Sequence, residues 1–113
     1  MKHEEDSAQY LTIWEFRVRA GCESEFQSVY GPHGDWVRLF SKAQGFIRTE
    51  LNHDLNVRRR YLTLDYWRSK EAYETFREQY RAEYTALDQR CEGLTERETA
   101  VGVFKMADAG AQM

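Results

Sequence analysis

Three histidines and two cysteines are the side chains from which nucleophilic or metal chemistry would most simply be built, and their spacing supports neither. His3 lies in a polar leading stretch, His33 in Gly31-Pro32-His33-Gly34, and His53 in a run of turn-forming residues. None has the short regular spacing to a second ligand that zinc sites use. Cys22 and Cys91 are far apart, with no Cys-x-x-Cys spacing and no histidine pair nearby. They read as reduced thiols that behave as small apolar residues. No glycine-rich loop follows a strand with phosphate-binding spacing. The spacing therefore points to neither a zinc site nor a phosphate-binding loop.

The aromatic residues offer more. They make up 14% of the chain, and Tyr61 to Phe76, YLTLDYWRSKEAYETF, gathers them where an alternating segment ends in Trp67 and a helix begins behind Ser69. Trp14 and Phe16 from an earlier strand, Thr63 and Trp67 from this one, and Tyr73 and Phe76 from the helix share compatible faces. Tyr30 and Trp36 flank the Gly-Pro-His-Gly break. Together these could line a flat apolar pocket whose donors are the Trp67 indole N–H, the Tyr73 phenol and the Thr63 hydroxyl. The competing reading is ordinary core, because an aromatic stripe at helical spacing usually packs. His33 also has two readings. It is either a surface-turn residue or a ring at a cleft mouth, where an imidazole could serve as a base.

The elements that must position these residues follow from the pattern. YLTIWEFRVR alternates from Tyr10 to Arg19 with apolar residues on both faces, as in a central strand. Ala20-Gly21 breaks it, and Phe26, Val29 and Tyr30 then recur at helical intervals. Gly31 to Gly34 interrupts that helix, after which Asp35 is positioned to cap a second piece carrying Trp36, Val37, Leu39, Phe40 and Ala43. Phe46–Leu51 and about Arg59–Trp67 read as strands joined by a loop over Asn52–Asn56. Tyr73, Phe76, Tyr80, Tyr84, Leu87 and Cys91 form a stripe long enough for one helix to Glu92 or for two pieces, with Gly93 as a stop. A last strand alternates from Thr95 to about Met106. The expected domain is residues 10–106, with disordered tails over 1–9 and 107–113.

Strand, broken helix, strand, strand, helix, strand is the βαββαβ order of an α+β ferredoxin-like fold, with a four-stranded antiparallel sheet and both helices on one face. The other face would carry Leu11, Ile13, Phe46 or Ile47, Leu62, Leu64 and Tyr66, too much apolar surface to leave in water. A homodimer through that helix-free face is the simplest remedy.

Charge and length narrow the function. A formal charge of -3 over 113 residues gives no long-range attraction for nucleic acid or an anionic membrane. The one basic run, Arg58-Arg59-Arg60, reads as a solvated strand start or as a guanidinium rim for an anionic ligand. The start, MKHEEDSAQ, lacks the apolar core of a signal peptide, and no apolar run approaches the roughly 20 residues of a membrane helix. A cytoplasmic protein is expected, with no nucleic-acid or membrane partner.

FRVRAG at the end of the first strand, Gly45-Phe46 at the start of the second, and above all LTLDYWRSKEAYETF resemble the antibiotic biosynthesis monooxygenase family over roughly residues 10 to 106. The resemblance implies a dimeric α+β barrel with a cavity between sheet and helices in each subunit. In its quinone-forming members it implies oxygen insertion into a phenolic polycyclic substrate without metal, flavin or haem. The protein orients the ring, assists deprotonation and stabilises the oxyanion. Trp67 and Tyr73 match that pocket's tryptophan and tyrosine at the same spacing, whereas Thr63 stands where those enzymes place an asparagine. The haem-degrading branch is disfavoured, because residues 68 to 92 hold no histidine and Phe16 occupies its asparagine position.

Two readings follow. In the first, a cofactor-independent monooxygenase acts on an aromatic or quinol-like molecule. The proposed catalytic set is Trp67, Tyr73, Thr63 and His33, with Tyr30 as another proton acceptor, and Trp14, Phe16, Tyr30, Trp36 and Phe76 holding the substrate. In the second, a dimeric barrel binds a small hydrophobic ligand without turning it over.

Overall fold

Alternation of inward and outward side chains along each strand sets the architecture. The computed structural model of the protein describes residues 10–107. β1 (Tyr10–Val18), β2 (Phe46–His53), β3 (Arg60–Trp67) and β4 (Thr95–Phe104) form one antiparallel sheet in the order β2-β3-β1-β4. Between them run α1 (Glu23–Tyr30), α2 (Asp35–Phe40), α3 (Lys70–Gln79) and α4 (Arg81–Cys91), the last ending in a 3₁₀ turn at Glu92–Leu94. This is the ferredoxin-like α+β arrangement. Apart from Ala107, the expected tails lie outside the described residues.

Each helix boundary has a local cause. Ser69 caps α3, its hydroxyl accepting from the Ala72 amide at 3.0 Å. At Tyr80 the backbone leaves helical values (φ -114°, ψ 32°), which divides the long aromatic stripe into α3 and α4. Gly21, at φ 89°, turns the chain out of β1. At Gly34 a side chain would meet the carbonyl oxygens of Ser28 and Val29, so the break between α1 and α2 can close only on glycine. Asp35 does not cap α2. Gly34 holds that position with no side-chain bond, and Asp35 instead pairs with Arg38 at 3.0 Å and Arg90 at 3.4 Å.

The inward face of the sheet falls into rows across the strands. Phe46, Trp67 and Tyr10 make the first, and Thr49, Asp65 and Thr12 the second. Leu51, Thr63 and Trp14 make the third, and His53, Tyr61 and Phe16 the fourth. Large rings fill the two outer rows, while the middle two hold mostly small polar side chains. β2 continues to His53, longer than expected, because His53 stacks on Tyr61 at 4.2 Å between centroids. β4 breaks strict alternation. Ile13 pairs with Gly102 but Trp14 with Ala100, so the chain bulges at Val101 and reverses its facing beyond it.

The helices close over the first row through a knot of rings. Trp67 meets Phe40, Phe46, Tyr73 and Phe76 at centroid distances between 5.1 and 5.5 Å, tilted or edge-on. It has 0% exposure, the most deeply buried large side chain of the sheet. Truncating Trp67 to alanine is expected to lower stability by about 3–5 kcal/mol in urea unfolding. The Leu55→Ala change, at a side chain 98% exposed, should stay within about 0.5 kcal/mol.

Candidate functional site

A cavity of about 270 Å³ opens over the two middle rows, where the sheet presents small side chains. Its sheet side is Trp14, Phe16, Thr49, Thr63, Asp65 and Glu98, and its helix side is Tyr30, Trp36, Phe40, Arg77, Tyr84 and Asp88. The aromatic walls are fixed by one another. Tyr30 lies 4.9 Å from Phe16 and 6.0 Å from Trp36, and Trp36 meets Tyr84 edge-on at 5.0 Å. A volume of this order suits a small planar ring system.

Five of the residues expected from the sequence line this space: Trp14, Phe16, Tyr30, Trp36 and Thr63. Trp67, Tyr73, Phe76 and His33 do not. Trp67 and Phe76 sit in the ring knot beside the cavity, touching it through Phe40. The Trp67 indole nitrogen is buried without a hydrogen-bond partner among the described residues. Tyr73 is half-buried between Tyr10 and Trp67, and its hydroxyl accepts from Arg77 Nη1 at 2.9 Å. Arg77 in turn lies 3.9 Å above the Tyr84 ring, so Tyr73 bears on the cavity through that guanidinium. His33 is exposed in the turn before α2, where its carbonyl accepts from Arg38.

The residue that sequence reasoning missed is Asp65. Only 8% exposed, it faces an aromatic space and accepts from Thr49 Oγ1 at 2.6 Å. Thr12, its partner on β1, supplies a second hydroxyl. Burial pushes its carboxyl from an ordinary 3.8 up to about 6, while the Thr49 and Thr12 hydrogen bonds hold it down. The signal was present in the sequence: an aspartate at an inward strand position, opposite inward threonines on both neighbouring strands. Burial also raises the Tyr30 phenol well above its ordinary value and the Tyr84 phenol to about 12, so both remain protonated donors at neutral pH. Glu98, on the exposed side, is raised by burial and then by Asp88.

The sequence profile of the antibiotic biosynthesis monooxygenase family matches residues 9–86, more than half of the chain. The protein belongs to this family. Among solved structures, SnoaB, a cofactor-independent oxygenase from Streptomyces nogalater, is similar at 20% identity and a TM-score of 0.67, over 91% of this chain and 97% of SnoaB. A Pseudomonas aeruginosa protein is similar at 14% identity and a TM-score of 0.66, over 94% of this chain and 99% of its own. At these identities the likeness is one of fold. Among curated protein sequences, none matches. Among the described residues, no three metal-binding side chains come together, and no helix is long and apolar enough to cross a membrane.

Because the folded carboxyl of Asp65 holds its proton more tightly than the unfolded one, its contribution is most favourable below about pH 4. That advantage is lost as pH rises to about 6 and above. Replacing Asp65 with asparagine should therefore raise stability relative to the native chain by up to ~3 kcal/mol between acid and neutral pH. Urea unfolding across that range measures it.

Proposed function

We propose that the protein is a cofactor-independent monooxygenase acting on a hydroxylated aromatic molecule of about two or three fused rings. The observation that carries the reading is the cavity itself. Aromatic walls on both sides can hold a flat ring, and hydroxyl and carboxyl groups stand at the sheet side where a ring oxygen would sit. Membership of the family and the fold shared with an oxygenase support it.

The chemistry needs dioxygen and the substrate alone. A hydroxylated ring, once deprotonated, is electron-rich enough to reduce oxygen. A ring C–H becomes C=O, one oxygen atom enters the product, and the other leaves as water with two hydrogens from the ring. The four electrons lost by the ring are those gained by dioxygen, so no external reductant is consumed. The side chains supply orientation and charge stabilisation. Trp14, Phe16, Tyr30 and Trp36 hold the ring, and Thr63 donates one hydrogen bond in place of the family's asparagine amide. Trp67 and Tyr73 act from behind the wall, Trp67 by fixing Phe40 and Tyr73 by fixing Arg77.

The second copy belongs to the same proposal. Leu11, Ile13, Leu62 and Leu64 are only half-buried on the helix-free face, and Val101, Val103, Phe104 and Met106 are exposed at the end of β4. Charged pairs flank the apolar strip, Arg60 with Glu15 and Asp54, and Arg48 with Glu50. A strip of this kind, apolar within an ionic border, suits an isologous dimer. The free thiols Cys22 and Cys91 fit a cytoplasmic setting.

Metal-stripped protein is expected to consume oxygen with a panel of anthrones and dihydroxynaphthalenes, one dioxygen per ring converted to quinone. Oxygen uptake no faster than buffer across the panel, with an authentic oxygenase active in the same assay, would overturn the enzymatic reading. Thermal stabilisation by the same compounds without turnover would leave a binding protein. Sedimentation should give twice the chain mass of 13.4 kDa, and Ile13→Asp on the helix-free face should shift it toward the monomer.

A further inference from the structure

We propose that Asp65 is the proton acceptor for a hydroxyl of the aromatic ring bound in the cavity. The inference rests on the reading of this cavity as an aromatic-ligand site, and it assigns a catalytic role to a residue outside the tryptophan and tyrosine pair that the family pattern draws attention to. Three observations carry it. Asp65 reaches the cavity while being 8% exposed, so its carboxyl meets a bound ring with little competing water. It is held in place by a row of the sheet, with Thr49 opposite on β2 and Thr12 opposite on β1. Its stabilisation comes from neutral hydroxyls: Thr49 donates to Oδ1 at 2.6 Å, and Thr12 provides the second contact. Hydroxyl donors fix a carboxylate without neutralising it, so the charge remains available to a third hydrogen-bond donor.

The step is a simple transfer. The ring O–H bond breaks, its electron pair stays on the ring oxygen, and the proton forms a new O–H bond on Asp65. The charge inside the cavity is unchanged, moving from carboxylate to aryloxide, so no new charge has to be buried. Burial brings the carboxyl's proton affinity nearer to that of a phenol, which lowers the cost of the transfer. The other groups around the cavity fit this division of labour. Tyr30 on α1 and Tyr84 on α4 stay protonated, Arg77 on α3 stacks on Tyr84, and Asp88 on α4 and Glu98 on β4 line the cavity from its helix and sheet sides. Of the carboxyls that line the cavity among the described residues, Asp65 alone is both buried and flanked by two hydroxyl donors.

Binding separates this assignment from the oxygenase reading. Quenching of the wall tryptophans by 1-naphthol and by 1-methoxynaphthalene compares a ring that can give a proton with one that cannot. The native chain should favour naphthol by about tenfold above neutral pH, and this preference should fade as pH falls through about 6. Asp65→Asn should abolish it. Thr49→Val, which removes one donor to the carboxylate, should move the fading upward by about one pH unit. Where a substrate is turned over, Asp65→Asn should lower kcat/KM by about a hundredfold and erase the acid limb of its pH profile. Equal affinity for the two naphthalenes in the native chain overturns the assignment, as does a preference that Asp65→Asn leaves intact or a midpoint that Thr49→Val does not move. If the preference behaves as stated but no oxygen is consumed, the assignment stands and the oxygenase reading falls. Oxygen consumption that Asp65→Asn leaves unaltered sinks the assignment and spares the oxygenase.

Discussion

The ring knot around Trp67 is the contact on which the helix side of the sheet depends. Phe40 from α2, Phe46 from β2, Trp67 from β3 and Phe76 from α3 meet there, so four consecutive elements are fixed by one cluster. Rings packed tilted or edge-on at these distances are rigid, and a rigid cluster at one end of the sheet holds the helices at a fixed height above the rest. A second cluster, Phe16, Phe26, Tyr30 and Tyr61, does the same at the other end. Between two such supports the helices cannot collapse onto small side chains. The cavity follows from the order large, small, small, large along Tyr61, Thr63, Asp65 and Trp67, which puts threonine and aspartate where the gap is widest.

That order explains how much of the site was legible in the sequence. Strand alternation puts Tyr61, Thr63, Asp65 and Trp67 on one face, and all four are buried on it in the structure. Alternation gives the face but not the depth. A ring lines a cavity only if no larger neighbour covers it, and Trp67 is covered by Phe40, Phe46, Tyr73 and Phe76. The aromatic residues drew attention because they are large, whereas an open space requires small ones. Asp65 was therefore readable in position but not in meaning until the register brought Thr12 and Thr49 beside it. The bulge at Val101 had no comparable signal, because Ala100 and Gly102 carry too little side chain to mark a change of face.

The charges divide in the same way as the rings. On the helix-free face Arg60 is shared between Glu15 at 2.6 Å and Asp54 at 2.7 Å, and both carboxyls are held below their ordinary range. Arg48 lies 3.9 Å above the Tyr66 ring while Tyr66 donates to Glu50 at 3.1 Å. These groups are partly solvated, so each pair adds little to stability and serves mainly to set which surface can meet another. On the helix side the guanidinium of Arg77 is bound to Tyr73 and stacked on Tyr84, and the interior carboxyl is left to hydroxyls.

A buried aspartate held by two threonines is a costly way to fill a sheet, and the cost argues for use. An apolar side chain in that row would bury no charge, and would remove the polar wall of the cavity along with the acceptor that Thr12 and Thr49 share. The middle rows thus trade stability for a carboxyl whose charge is neither cancelled by a cation nor washed by solvent. The ring clusters on either side can bear that loss because they carry the packing of the fold between them. A core divided in this way, with rigid aromatic ends and a thin polar centre, separates the residues that hold the helices up from those that line the cavity. Trp67 belongs to the first group and Asp65 to the second, although they stand two residues apart on one strand.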